Sequence, residues 1–145
     1  MDDIFGQDIK LDTTGLAMVA ANGELLLTQG AETGVQDIRL RLFQRLGELF
    51  YDIDFGALLH DWIKEESTQA NRDGFAAEAE SRIEADPRVE SGTATCEVIS
   101  WDETGLTALA GWQFIGDDHP YNLVVSWDND KKEMVIADVN PRSGL

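Results

Sequence analysis

The chain has 145 residues, with 28 Asp or Glu against 11 Lys or Arg and a formal net charge of −17. This length fits one domain able to bury a core without staples, and a 43% hydrophobic fraction with four Trp marks a folded chain, not a disordered one. No basic segment offsets the acid, which excludes binding driven by nucleic-acid phosphates and disfavours an anionic membrane surface.

Cys96 is the only cysteine, so one chain can form neither a disulfide framework nor a Cys-ligated zinc site. It is expected as a small buried residue in a strand. The opening MDDIFGQDIK has no cationic start and no apolar stretch, so no signal peptide is expected there. No run approaches the about 18 apolar residues of a membrane span. A reducing cytoplasm, or a particle assembled in it, is the expected location.

In chain order, residues 8–28 read as short strands and turns. Asn22-Gly23 between Ala17-Met18-Val19 and Leu25-Leu26-Leu27 predicts a β-hairpin. The period then changes. Val35, Ile38, Leu42, Leu46 and Leu49 step by three or four, with Phe43 widening the stripe, which predicts an amphipathic helix. Thr33 is its candidate cap and Gly47 its candidate stop. Arg39, Arg41 and Arg45 are its cations; they form either a solvated face or pairs with carboxylates of this chain or of an acidic partner. After a break at Tyr51–Gly56, helical spacing resumes over Ala57–Glu65. A third helix is predicted from about Arg72 to Ala85, with Phe75, Ala79 and Ile83 on one side. Gly74 weakens its first turn, and Pro87 enforces a stop.

From Val89 the period becomes two. Ala94, Cys96 and Val98 point one way, and Thr95, Glu97, Ile99 and Trp101 the other. Leu106, Ala108, Ala110, Trp112 and Phe114 form the next alternating set, then Tyr121, Leu123, Val125 and Trp127, then Met134–Ala137. Turns at Asp102–Gly105, Asp117–Pro120 and Asp128-Asn129-Asp130 separate them. This predicts an antiparallel meander of about four strands. With the helices grouped before it, the class is α+β: an N-terminal β-hairpin, about three helices, then the meander, in one domain over residues 1–145. Both sheet faces carry apolar residues. Either the second face leaves Trp101, Ile115 or Val124 partly exposed as a contact site, or the N-terminal strands cover it.

Phosphate-binding loops, dinucleotide fingerprints, zinc-binding helix motifs and nucleophile elbows are absent from the sequence. His60 and His119 have no nucleophile at motif spacing. The carboxylates Glu48, Asp52, Asp54, Glu65 and Glu66 flank the break between the first two helices. Glycoside hydrolysis needs two carboxyl groups roughly 5–9.5 Å apart, one of them kept protonated by an apolar pocket. Glu48 and Glu65 are the candidates for such a pair; a solvated acidic surface is the alternative. Asp117, Asp118, Asp128 and Asp130 read as turn formers without the spacing of a calcium loop. No cofactor or metal is expected.

Several segments taken together carry a resemblance. They are Asp8-Ile9-Lys10-Leu11-Asp12 with Thr14-Gly15; Glu24–Thr28 leading into Gly30-Ala31-Glu32-Thr33-Gly34-Val35; Ile38-Arg39-Leu40-Arg41-Leu42; Arg45-Leu46-Gly47-Glu48; Tyr51–Leu59 with Asp54-Phe55-Gly56 at its centre; and Asp86-Pro87-Arg88-Val89 directly before a strand. In this order they resemble the baseplate wedge family of contractile-tailed phages, often labelled tail-lysozyme-like. That family includes the T-even baseplate wedge protein, a Mu-type baseplate protein and a component of type VI secretion baseplates. The resemblance spans roughly residues 8–100. It departs at one point: the family carries Glu-Pro-Arg where this chain has Asp86-Pro87-Arg88, one methylene shorter in reach.

The resemblance implies a structural assembly subunit of a phage, prophage or phage-like contractile tail. It would be made in the bacterial cytoplasm and kept in the tail baseplate. Its partners would be other baseplate wedge, tube or sheath proteins, with self-association possible and no nucleic acid or membrane insertion. The implied contacts are Arg39, Arg41, Arg45, Phe55, Gly56, Asp86, Pro87 and Arg88. Apart from any family, Pro87 fixes a helix-to-strand corner, and Arg88 presents a rigid fork to Asp86, Glu48 or a partner's acid. The family label also implies muramidase activity; read from the residues, such a glycosidase would use Glu48 or Glu65 as acid, and a type VI secretion role is the third alternative.

Overall fold

The computed structural model describes residues 9–11, 17–27, 30–45 and 56–138. Helices come first: α1 (Ala31–Phe43), α2 (Leu59–Ile63) and α3 (Gln69–Glu84). The strands β1 (Thr95–Trp101), β2 (Gly105–Trp112), β3 (Tyr121–Asp128) and β4 (Glu133–Asp138) follow. They form one sheet in the order β1-β2-β3-β4, each antiparallel to the next. The α+β class and the four-stranded meander are thus as the sequence predicts. The helices pack on one face: α3 on β1 and β2, α2 on α3, and α1 on α3 and β4. Ile38, Leu42, Leu59, Phe75, Ala79 and Ile83 meet Ala108, Ala110, Phe114, Leu123, Val125 and Ile136 in a fully buried core.

The helix limits differ from the periodicity, for local reasons. The start of α1 is Ala31, after Gly30 with φ 54, a conformation glycine adopts without cost; Thr33 is buried in the first turn and is not the cap. The end is Phe43, not Gly47. Gln44 turns to extended backbone, and its carbonyl accepts from Ala57 N at 2.9 Å. Arg45 therefore lies beyond the helix, bridging Ala57 in parallel, while Leu46, Gly47 and Leu49 lie outside the described residues. α2 starts after Ala57, because that residue is held by Gln44 and Gly56 sits at φ 122. Leu58 N donates to Glu78 Oε2 of α3 at 3.1 Å. α3 starts three residues earlier than expected, because Thr68 Oγ1 caps it by accepting from Asn71 N at 3.1 Å. Gly74 has a packing role in α3: a Cβ there would overlap the Trp62 ring of α2.

One strand breaks the expected alternation. Between Val98, paired with Ala108, and Ser100, paired with Thr107, the register shifts by a β-bulge at Ile99. Trp101 is thereby turned onto the core face and is buried, against the expectation that it faces outward, while Ile99 is 56% exposed. Leu109 on the same outer face is 36% exposed and Val124 is half-buried.

The three short N-terminal segments bond one another in a ring. Lys10 N donates to Leu26 O (2.7 Å), Leu26 N to Met18 O (2.9 Å) and Met18 N to Lys10 O (2.8 Å). The pairing consists of isolated antiparallel bridges, Val19 with Leu25 among them. The bonds of the described N-terminal residues beyond their own segments go to α1. Gln36, 5% exposed, acts as a strand partner: its Nε2 donates to Ile9 O at 2.7 Å, and its Oε1 accepts from Leu11 N at 2.8 Å. Arg39 adds a bond to Leu11 O at 3.0 Å, and Lys10 pairs with Glu32 at 2.9 Å.

Candidate interaction surface

The corner after α3 gathers the most charge chemistry. Asp86 is 1% exposed. Its Oδ1 accepts from Arg88 N and Arg88 Nε, both at 2.9 Å, and its Oδ2 accepts from Arg88 Nη2. The same Nη2 reaches Asp37 Oδ2 on α1 at 3.0 Å. One guanidinium thus fastens the helix-to-strand corner to α1, with the forked geometry that Arg offers and Lys lacks. Burial pushes the Asp86 carboxyl up, but the hydrogen bonds and charge of Arg88, with Arg41 further off, outweigh it and hold the group below the ordinary Asp value. The bond to Asp86, and after it the one to Asp37, holds the guanidinium charged. Asp37 is the partner that sequence reasoning did not name; it lies one helical turn before Arg41, and only the fold brings it to the corner.

The other anticipated contacts are scattered. Arg39 is engaged by the N-terminal segment. Arg41 is half-buried beside the corner and Arg45 is exposed. Gly56 is buried and Pro87 exposed; Phe55 and Glu48 lie outside the described residues. His60 stands between Phe43 and Trp127, ring centroids 6.1 and 6.3 Å away. Cys96 is half-buried in β1; burial, with the nearby Glu80 charge, pushes its thiol up to about 12, so it is a poor nucleophile.

Glu65 lies exposed on a groove of about 470 Å³ between the α2–α3 connection and the open end of the sheet. Glu66, Asp102 and Glu103 share its rim, and Ile63, Trp101 and Trp127 line it. Asp102 Oδ1 accepts from Thr104 N (2.8 Å) and Thr104 Oγ1 (2.6 Å), which holds it below the ordinary Asp value. Asp128 is likewise held down, by the backbone N–H groups of Lys131 and Asp130. Both are turn formers, as their positions imply. Such carboxylates attract a cation; a general acid needs the apolar shielding that an exposed Glu65 lacks. Among the described residues no group of three or more His, Cys, Asp or Glu is placed to hold a metal ion, and no helix is long and apolar enough to cross a membrane.

Among the described residues, large apolar side chains stand exposed at Ile9, at Phe43 and at Ile115 just past β2, the last 57% exposed, and in two larger groups. Val19, Leu25 and Leu27 on the N-terminal segments are 50–55% exposed, and Ile99 and Leu109 occupy the outer sheet face. Set in a chain of net charge −17, they form apolar islands in an acidic surface. Comparison with known proteins finds no matching family model and no matching curated protein.

Proposed function

We propose that this chain is a structural assembly subunit of the baseplate wedge of a phage, prophage or phage-like contractile tail, acting through protein–protein contacts. An N-terminal hairpin before the helices is part of this reading. The observation that carries it is the pair of exposed apolar islands, Val19-Leu25-Leu27 and Ile99-Leu109, on a strongly acidic chain. Apolar area of this kind drives association, while charge selects the partner and speeds encounter. The segment order up to Asp86-Pro87-Arg88 supports the same reading. The test is co-expression with the proteins encoded beside this chain in a tail gene cluster. Co-purification of a stoichiometric complex, weakened by salt, is expected; a chain that elutes alone at every ionic strength contradicts the reading. A gene neighbourhood of secretion components in place of tail genes would assign the same subunit to a type VI baseplate.

A second reading, a peptidoglycan-degrading tail lysozyme, rests on the groove with Glu65 and Glu66 on one side and Asp102 and Glu103 on the other. It requires clearing of cell-wall suspensions that is lost in Glu65→Gln. No clearing above background by the unaltered chain ends it.

A further inference from the structure

The groove beside Trp101 and Trp127 has a chemistry of its own. In the cross-strand row Trp101–Leu106–Trp127 the two indoles flank Leu106, at the end of the sheet facing the α2–α3 connection. The bulge at Ile99 is what puts Trp101 in that row. Around this apolar wall stand four carboxylates. Asp102 is engaged by its own turn. Glu65, Glu66 and Glu103 are exposed, and no hydrogen bond or ion pair engages their side chains among the described residues. Two cations reach the rim. Arg72 bonds Ser67 Oγ at 3.2 Å and Trp101 O at 3.5 Å, and Lys132 Nζ bonds Asn129 Oδ1 at 3.1 Å. Both are held by neutral oxygens, and the carboxylates outnumber them.

We propose that this groove receives a Lys or Arg side chain presented by a protein partner. A cation beside the half-buried Trp127 indole gains from the ring quadrupole, and more so as the site loses water, while Trp101, 7% exposed, closes the inner end of the slot. Exposed carboxylates on opposite sides of one slot supply the charge it needs. A guanidinium fits best, because its flat apolar faces suit the aromatic wall and its edges suit the carboxylates. The inference rests on the docking reading only in making the occupant a protein segment; it adds where one anchor sits and of what chemistry.

The probe is a short acetylated peptide with Leu and Arg in alternation, titrated into the full chain while the indole N–H resonances of Trp62, Trp101, Trp112 and Trp127 are followed. Saturable shifts confined to Trp101 and Trp127 are expected. Glu66→Gln with Glu103→Gln weakens the peptide about tenfold, whereas an equal loss of charge elsewhere, Glu90→Gln with Glu133→Gln, changes it less than about twofold. Shifts spread over all four indoles, or equal weakening by both double variants, show only general attraction to an acidic surface and overturn the proposal. Arginine amide binding as tightly as the peptide overturns the protein occupant in favour of a small cation. A groove that fails while the wedge complex still forms removes this anchor and leaves the docking reading standing; the reverse outcome does the opposite.

Discussion

Two acidic places in this fold use the same residue types to opposite ends. At the corner, Asp86 is buried, and Arg88 satisfies both of its oxygens while reaching Asp37. At the groove, Glu65, Glu66 and Glu103 are exposed around an aromatic wall. A paired, buried carboxylate fastens elements of its own chain, because separating it from its cation leaves an uncompensated charge. An exposed carboxylate beside apolar surface adds little to folding and is available to a second molecule. Composition alone does not separate these roles; burial and partner supply do.

The comparison can be broken most strongly at Arg88. Arg88→Ala leaves Asp86 charged and buried, and should cost about 3–5 kcal/mol of unfolding free energy in denaturant titration. A loss below about 1 kcal/mol would make the corner an ordinary surface pair.

Acid is the second probe. The Asp86 carboxyl is held below its ordinary value when folded. Its contribution is therefore complete above the unfolded pKa of about 3.9 and is lost as pH falls through the lower folded value. Thermal midpoints should drop on acidification below about pH 4. Asp86→Asn, already less stable at neutral pH, should flatten part of that drop; Asp102 and Asp128 are also held down and keep the remainder. An identical acid profile in Asp86→Asn would remove Asp86 from the account.

Gly74 sharpens the packing side of the comparison. Helix propensity alone would make Gly74→Ala stabilising by about 1 kcal/mol. The overlap of its Cβ with the Trp62 ring should reverse the sign, for a net loss of about 1 kcal/mol with a shifted Trp62 indole resonance. The smallest effect belongs to the groove: Glu66→Gln with Glu103→Gln should leave stability within about 0.5 kcal/mol, because those exposed carboxylates fasten nothing among the described residues.

Much of the architecture is legible from period alone. The buried faces of α3 (Phe75, Ala79, Ile83) and of β2 (Leu106, Ala108, Ala110, Trp112) are those the alternation indicates. Three features are not legible, each for a stated cause. The bulge at Ile99 adds one residue to β1 and flips Trp101, which strict alternation cannot represent. The end of α1 at Phe43 is set by a main-chain bond from Ala57, thirteen residues beyond Gln44. Gln36, which periodicity does not single out, fastens the N-terminal segments through its amide. For the site, Asp86 and Arg88 are visible as a pair two residues apart, whereas Asp37 and the convergence of Trp101, Trp127 and Glu65 depend on the tertiary fold.

The central claim is that the exposed apolar islands are docking surface. It is tested most directly by comparing the unaltered chain with Leu25→Asp and Ile99→Asp in co-purification with the proteins encoded beside it, with the unfolding transition measured in parallel. The account predicts that both variants keep their transition and that the complex is lost from at least one. A full complex with both variants, or no complex with the unaltered chain, would contradict it.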